Sequence, residues 1–551
     1  MSNPQTEIHV CSGVRLDSRQ QHSIWFATVY DQLNYFGGKV VKTFPAYSYC
    51  RKTWSIKVED TLENARKWNY LYFTNSPSGK VWFYFINNVE YVNDNTVELF
   101  LELDVIQTFL FHWELQECFI ERQHTEQDYV GLNEVDEGLS VGELTCIDVK
   151  QVTELNELCV LMVSTVDPLT NETVFSKTLN NIFAGAGVFA TESADYAQLG
   201  QKLNEMSENG KIDSVVTMWM YPKNLVSLMD GTAWGNGKIC KPVKSLSPIN
   251  GRVSLNFSYP YSYKPKNKKL YQYPFMFIQA SNNNGAGAIF RFERFRSVSK
   301  IPETNLPLPY QLIGAYSPEG VVKLVFNNYD NQDYENALPL MGFPTCAWNA
   351  DSYKIWLAQN QAQRDVAYGA SALTIATGAG VALATLAAIP TGGMSLGALA
   401  GVGGGLATAG NGLQQVMSLN AQTKDMSIQP PQARGNFSGS VNIVAEKQSF
   451  TFYVRQVTSE HAKIIDDFFT MYGYAQKRLG VPNIHARPKF TFIKTVGCMV
   501  GGQIGNGDRL AIQRIFDQGI TFWTNGDKVG DYTQDNSVTN EGEVEPWHAN
   551  E

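Results

Sequence analysis

Along much of this chain, apolar and polar positions alternate with the period of two expected of strands. Val97, Leu99, Leu101 and Leu103 alternate with Glu98, Phe100, Glu102 and Asp104. The segments 80–91 (KVWFYFINNVEY) and 96–111 (TVELFLELDVIQTFLF) flank Asn93-Asp94-Asn95, so the pattern predicts a long antiparallel hairpin. Residues 23–30 (SIWFATVY) and 68–73 read as further strands. Residues 158–165 (LCVLMVST) form an unbroken apolar run and predict a buried strand, while 204–210, Asp230-Gly231 and 234–237 carry turn signals. A second hairpin is predicted over 273–280 (YPFMFIQA) and 288–298 (AIFRFERFRSV), joined by Ser281-Asn282-Asn283-Asn284-Gly285. Its second strand places Phe290, Phe292 and Arg294 on one face and Arg291, Glu293 and Phe295 on the other.

The period changes in two places. Residues 351–365 read as a helix with Asp351 as N-cap. In 459–472, Ile464, Ile465, Phe468, Phe469 and Tyr472 recur at helical spacing, with Ser459 as N-cap and Gly473 as terminator. Strands resume at 438–445, 450–457, 489–496, 510–516 and 519–524, and the polar, acidic stretch from Gly526 onward reads as disordered.

Residues 366–423 break with everything else, containing no Asp, Glu, Lys, Arg or His. Ile389-Pro390-Thr391-Gly392-Gly393 divides this stretch into two arms of about the 20 residues a helix needs to cross a bilayer. A helical hairpin satisfies its own backbone hydrogen bonds, as lipid requires. Gly393, Gly397, Gly401 and Gly405 recur every fourth residue, and Ala372, Ala376, Gly380, Ala384 and Ala388 do the same in the first arm. Such ridges of small side chains allow close helix approach in lipid. Opposite the ridges stand Leu373, Ile375, Val381, Leu383, Leu386, Leu396, Leu399, Val402 and Leu406, with Ile389, Pro390 and Met394 at the turn. The seven Leu, Ile and Val residues of the first arm contribute on the order of −2 to −4 kcal/mol to insertion. Glycine, serine and threonine then subtract from this. The reading is therefore a conditional membrane element strengthened by multiple copies. Three other readings are open: a buried hairpin of a soluble core, a flexible linker, and a permanent two-span anchor. Cores favour larger side chains, linkers are polar, and no flanking Lys/Arg cluster or aromatic belt marks an anchor.

Composition supports a strand-rich, multi-domain protein. The 551 residues exceed one compact core, aromatics make up 12% and charged residues only 18%. The net charge of −9 provides no field to hold nucleic acid. Residues 1–10 lack the apolar core of a secretory signal. The eight cysteines are scattered and read as reduced, mostly buried side chains, and the dispersed histidines make a zinc site unexpected. No nucleophile elbow, Walker loop, zinc-protease or dinucleotide motif occurs, so no catalytic, cofactor-binding or metal residue is assigned. The pairs Asp136-Glu137 and Asp466-Asp467 read as solvated carboxylates rather than a wall-hydrolase pair. The run 264–269 (KPKNKK) reads as a solvated loop. Lys477, Arg478, His485, Arg487 and Lys489, interleaved with Tyr472, Tyr474 and Phe490, read as strand edges or subunit contacts before a DNA path.

Several stretches in order resemble the distal tail knob proteins of phi29-like podoviruses. They are 25–36 (WFATVYDQLNYF), 101–109 (LELDVIQTF), 117–124 (ECFIERQH), 135–142 (VDEGLSVG), 471–478 (MYGYAQKR), 482–495 and 514–524 (RIFDQGITFWT). The uncharged stretch occupies the family's loop position before Ile428-Gln429-Pro430-Pro431-Gln432. The resemblance implies a mainly β (α+β) fold of sheet or barrel tube domains with a long hydrophobic inserted loop, assembled as a hexamer with other tail proteins. It also implies that the loop plugs the lumen, then enters the host cell membrane as a channel for phage DNA. On this reading the chain divides into a tube domain (1–146), a variable knob domain (147–350), the helix and loop (351–434), a second tube domain (435–525) and a tail (526–551).

Overall fold

The computed structural model describes residues 6–47, 54–75, 79–170, 178–179, 182–183, 186–209, 211, 214–259, 263–296, 306–315, 321–330, 337–343, 345–347 and 448–538. Strands dominate, as expected. The first sheet has six strands in the order Val40–Tyr47, Thr6–Cys11, Tyr70–Thr74, Val81–Asn93, Thr96–Leu103, Ser55–Val58. Its hairpin follows the predicted alternation: Val97, Leu99, Leu101 and Leu103 are buried, and Tyr84 pairs with Leu103 and Val89 with Leu99. The second arm ends earlier than predicted. Asp104 caps a short helix, Val105–Thr108, by accepting from the Gln107 backbone N–H at 3.0 Å.

A five-stranded sheet draws together distant parts of the chain, in the order His22–Ile24, Ile520–Trp523, Phe490–Val496, Cys118–Gln123, Tyr474–Gly480. The strand His22–Ile24 runs parallel to Ile520–Trp523, with Ile24 opposite Trp523. One hydrophobic core therefore joins residues between Ile8 and Trp113 to residues between Phe490 and Val529. Two expectations fail here. Val29 and Tyr30 begin the helix Val29–Gly37, capped by Thr28, instead of ending a strand. Residues 510–516 lie in the helix Asn506–Gln518, where Ile512, Ile515 and Phe516 are buried at spacings of three and one and Leu510 faces solvent.

A second core contains residues between Val152 and Phe343 together with Phe450 to Tyr474. One six-stranded sheet runs Val226–Leu228, Lys241–Leu246, Gly187–Glu192, Leu158–Ser164, Val215–Pro222, Thr345–Ala347. Leu158–Ser164 is the predicted buried strand. Cys159 and Leu161 face the main core, while Val160 and Met162 pack with Leu199, Leu203 and Met206 of the helix Tyr196–Glu208. That helix was read from sequence only as a turn. A four-stranded sheet, Leu144–Gln151, Thr451–Val457, Met276–Ser281, Gly287–Phe290, contains the second predicted hairpin. Its second strand is shorter than expected: a 3-10 turn, Phe292–Arg294, follows, and Phe290, Phe292 and Phe295 are all buried. Another four-stranded sheet comprises Ile249–Leu255, Leu306–Ala315, Val321–Val325 and Leu338–Leu340.

The helix Ser459–Tyr472 spans the predicted residues, although Thr458 is its cap, accepting from the His461 N–H. Gly473 ends it at φ +64°, and a Cβ there would stand 2.4 Å from the Gln123 backbone, so only glycine fits. Residues 526–538 are ordered, against expectation: Val529 and Asn536 are buried and Tyr532 packs on Trp523. The predicted helix 351–365, the strand 438–445 and residues 539–551 lie outside the described residues.

Candidate functional site

The loop residues singled out from Leu373 to Leu406, and the ridge residues Gly380, Gly393, Gly397, Gly401 and Gly405, lie outside the described residues. The described chain stops at Ala347 before that stretch and resumes at Gln448 after it. The outgoing flank ends in Thr345–Ala347, a strand that pairs with Thr217–Trp219 along the edge of the six-stranded sheet. The returning flank begins at Gln448, passes the fully buried Ser449 and Phe450, and enters Thr451–Val457.

Three asparagines hold these flanks together. They occupy the turn of the second hairpin, which the sequence had shown only as a turn. Asn282 donates its amide to the Pro339 carbonyl at 2.8 Å, and Asn284 donates to the Met341 carbonyl at 2.8 Å. Asn283 donates to the Ser449 carbonyl at 3.0 Å and to the Thr451 hydroxyl at 3.1 Å. From the returning side, the Gln448 amide donates to the same Met341 carbonyl at 3.1 Å. Gln151 donates to the Ser449 hydroxyl at 2.6 Å, and the Val152 N–H donates to the Phe450 carbonyl at 2.9 Å. The Asn282 side chain accepts from the N–H groups of Asn284 and Ala286, which stiffens the turn. Asn283 sits at φ +58°, a conformation asparagine adopts more readily than most residues. Behind the clamp, Phe452 packs against Phe326, which also meets Phe290 and Phe295. Every hydrogen bond named in the clamp is between neutral groups, so none is created or broken by titration.

A second constellation joins the two cores. The Glu137 carboxylate, its side chain 2% exposed, meets the Arg122 guanidinium and the Lys269 ammonium, and accepts from the Ala475 N–H at 3.0 Å. Arg122 also donates to the Gly473 carbonyl at 2.7 Å. Asp466 accepts from the Tyr263 hydroxyl at 2.6 Å and from the backbone N–H groups of Lys266 and Asn267 at 2.8 and 3.0 Å. Both carboxylates had been read as solvated, and the structure corrects that: they are buried and saturated with donors. The run 264–269 is corrected in the same way, since Asn267 and Lys269 are buried while Lys264 and Lys266 are exposed. The basic and aromatic residues between 472 and 489 form no common face, because Tyr474, Arg487 and Phe490 are buried while Lys477, Arg478 and Lys489 are exposed. Lys477 and Arg478 do lie on an edge strand, as expected.

His124, buried beside this constellation, accepts at Nδ1 from the Phe492 N–H at 2.8 Å. Its Nε2 therefore carries the proton and donates to the Thr470 carbonyl, 3.1 Å away. Burial, reinforced by Arg487 and Arg122, pushes its pKa down to about 3. A depressed folded pKa contributes stability above the unfolded value near 6.5 that is lost progressively as pH falls from there to about 3. Burial acts in the opposite direction on Asp104, raised to about 6, and Glu293, raised to about 7, whose contributions fade as pH rises through those values. His124→Asn isolates the histidine: between pH 7 and pH 5 the wild type loses about 2 kcal/mol more than the variant in urea denaturation. Parallel pH profiles of the two proteins would refute the neutral-strut role.

Among the described residues no group of His, Cys, Asp or Glu side chains could hold a metal ion, and no helix is long and apolar enough to cross a membrane. Cys11, Cys118, Cys159, Cys240 and Cys498 are unbridged and buried, as expected, whereas Cys146 is exposed.

Residues 243–537 match the family of the C-terminal domain of Bacillus phage phi29 tail knob protein gp9, and residues 4–114 match the Caudoviral major tail protein N-terminus. The tail knob protein gp9 of Bacillus phage B103 is 23% identical over 97% of this chain and 98% of its own length. The gp9 proteins of phages PZA and phi29 are similar to the same degree. The tail knob protein gp12 of bacteriophage C1 shares the fold, with a TM-score of 0.60 at 14% identity, covering 96% of this chain and 98% of that one.

Proposed function

The chain belongs to the family of the phi29 tail knob protein gp9, and on that premise we propose that it plugs the tail with the 366–423 stretch and releases it to form a channel in the host cell membrane. The protein is a structural component of the phage tail. In this reading it assembles as a homo-oligomer, a hexamer by the family resemblance, with other tail proteins. The genome passes through its lumen without sequence-specific contacts, and no catalytic step is required.

One observation carries the proposal: 58 consecutive residues contain no Asp, Glu, Lys, Arg or His, in a chain that is 18% charged as a whole. Such a stretch can exchange a protein-lined cavity for lipid without desolvating a charge. The asparagine clamp supports this reading because it fixes both flanks to folded sheets, leaving the stretch between them tethered.

Liposomes loaded with a self-quenching dye provide the test. The purified protein releases the dye, and Gly397→Leu with Gly401→Leu reduces release several-fold by interrupting the small-residue ridge. Release undiminished by these substitutions would rule out ridge packing. No release at neutral or acidic pH would leave the second reading, a plug without membrane activity.

A further inference from the structure

The five-stranded sheet continues into a small two-stranded ribbon, and the joint between them carries two cysteines. In the ribbon, Trp113–Leu115 pairs with Val500–Gly502, and in the sheet Cys118–Gln123 pairs with Phe490–Val496. Leu115 stands opposite Val500 and Phe119 opposite Val496, so one register runs through the joint. It places Cys118 opposite Gly497 and Cys498 opposite Glu117. Within the joint the Gln116 N–H donates to the Met499 carbonyl at 2.9 Å.

In an even pleat, two residues offset by one place point to opposite faces. Here they do not. Trp113 and Val500 are buried on the ribbon side, Ile120 and Thr495 on the sheet side, and the inward set shifts by one residue on each strand between them. Gly497, at φ +65°, makes the shift on its strand. Cys118 and Cys498 stand where the inward sets meet, 5% and 4% exposed, and Glu117, Phe119, Gly497 and Met499 beside them are open to solvent. Their thiols meet, each altering the ionisation of the other. Asp517 fixes this stretch by accepting from the Cys498 N–H at 2.9 Å and the Thr495 hydroxyl at 2.8 Å. Residues offset by one place across an antiparallel ladder have Cα atoms about 6 Å apart, inside the range of about 4.4–6.8 Å that a disulfide spans.

Among the described residues no third ligand completes a metal site with the pair. Filling the core with small apolar side chains does not require two thiols in contact. We propose that Cys118 and Cys498 are a latent disulfide, closed by a low-molecular-weight disulfide in an oxidising medium, which locks the amino-terminal and carboxy-terminal parts of this core together. The Cys118 thiolate attacks one sulfur of the small disulfide and expels its other half as a thiolate. The Cys498 thiolate then attacks Cys118 Sγ, forms the Cys118–Cys498 bond and expels the second half. The two protons given up by the cysteines go to the two released thiolates, so the protein is oxidised by two electrons and the small disulfide is reduced to two thiols. Burial pushes the Cys498 thiol up to about 12, so the exchange is slow. Cytosolic thiols are kept reduced whereas virion surfaces meet an oxidising medium, so the bond follows assembly.

The test uses the full-length protein carrying Cys146→Ser, which removes an exposed thiol. It is incubated at mildly alkaline pH with oxidised glutathione or with dithiothreitol, alkylated in denaturant, digested and read by mass spectrometry. After oxidation the peptides of Cys118 and Cys498 are linked to each other, and unfolding in urea is at least about tenfold slower than for the reduced protein. Cys498→Ala and Cys118→Ala each abolish the link and leave the unfolding rate indifferent to the oxidant. Two thiols that stay free, glutathione retained on either cysteine without a link between them, or a linked protein that unfolds as fast as the reduced one would overturn the proposal.

Discussion

A protein lacking residues 366–423 assembles as the full-length chain does and releases no dye from liposomes. The expectation rests on where the cut falls. Both ends of the deletion lie within the span between Ala347 and Gln448, which shrinks from 100 to 42 residues. The strand Thr345–Ala347, the asparagine turn and the Gln448–Ser449 return all remain. Shortening a loop by this factor lowers its closure cost by about 0.8 kcal/mol, so stability should not fall. Oligomer mass by light scattering and dye release in parallel separate the two functions. Leakage from the deletion equal to that of the full chain would reject the membrane reading outright.

The largest stability effect is expected at Glu137. Glu137→Ala should cost about 3–5 kcal/mol in urea denaturation, the range for breaking a buried ion pair from one side. The cause is what it leaves behind: Lys269 at 3% exposure and Arg122 at 13%, both without their carboxylate. Burial already pulls the Lys269 pKa down, and Glu137 is the main opposing influence. Glu134→Ala serves as the control, because its pair with Arg294 is about one-third exposed and should be worth less than about 1 kcal/mol. Equal losses from the two variants would show that the constellation does not lock the cores together.

Local patterns were legible where burial follows the chain. The alternation in Thr96–Leu103 and the helical spacing in Ser459–Tyr472 both reflect one buried face, and both elements were readable. The helix Asn506–Gln518 was not, because its buried Ile512, Ile515 and Phe516 sit among polar residues while Leu510 is outward, so a short window resembles a strand. The asparagine clamp, Glu137 and Asp466 were missed for a different reason. Their partners are remote in sequence: Asn283 reaches Thr451, Ala475 reaches Glu137, and Asn267 reaches Asp466. A carboxylate is solvated or buried depending on donors such as Lys269, Asn267 and Ala475, which arrive from 132, 199 and 338 positions away, and no local pattern records their arrival. Three consecutive asparagines were the one available cue, since so many amides in a single turn exceed what a turn needs.

The parallel pairing of His22–Ile24 with Ile520–Trp523 has a consequence for biosynthesis. The core begun by Ile8 to Trp113 receives Phe490, Phe516 and Trp523 only after the several hundred residues between Trp113 and Phe490 have been made. At about 5–20 residues per second, the nascent amino-terminal sheet waits roughly 20–80 s for its closing strands. During that interval its aromatic face is uncovered and vulnerable to chaperones, proteases and neighbouring nascent chains. A chain cut short before Phe490 cannot complete this core.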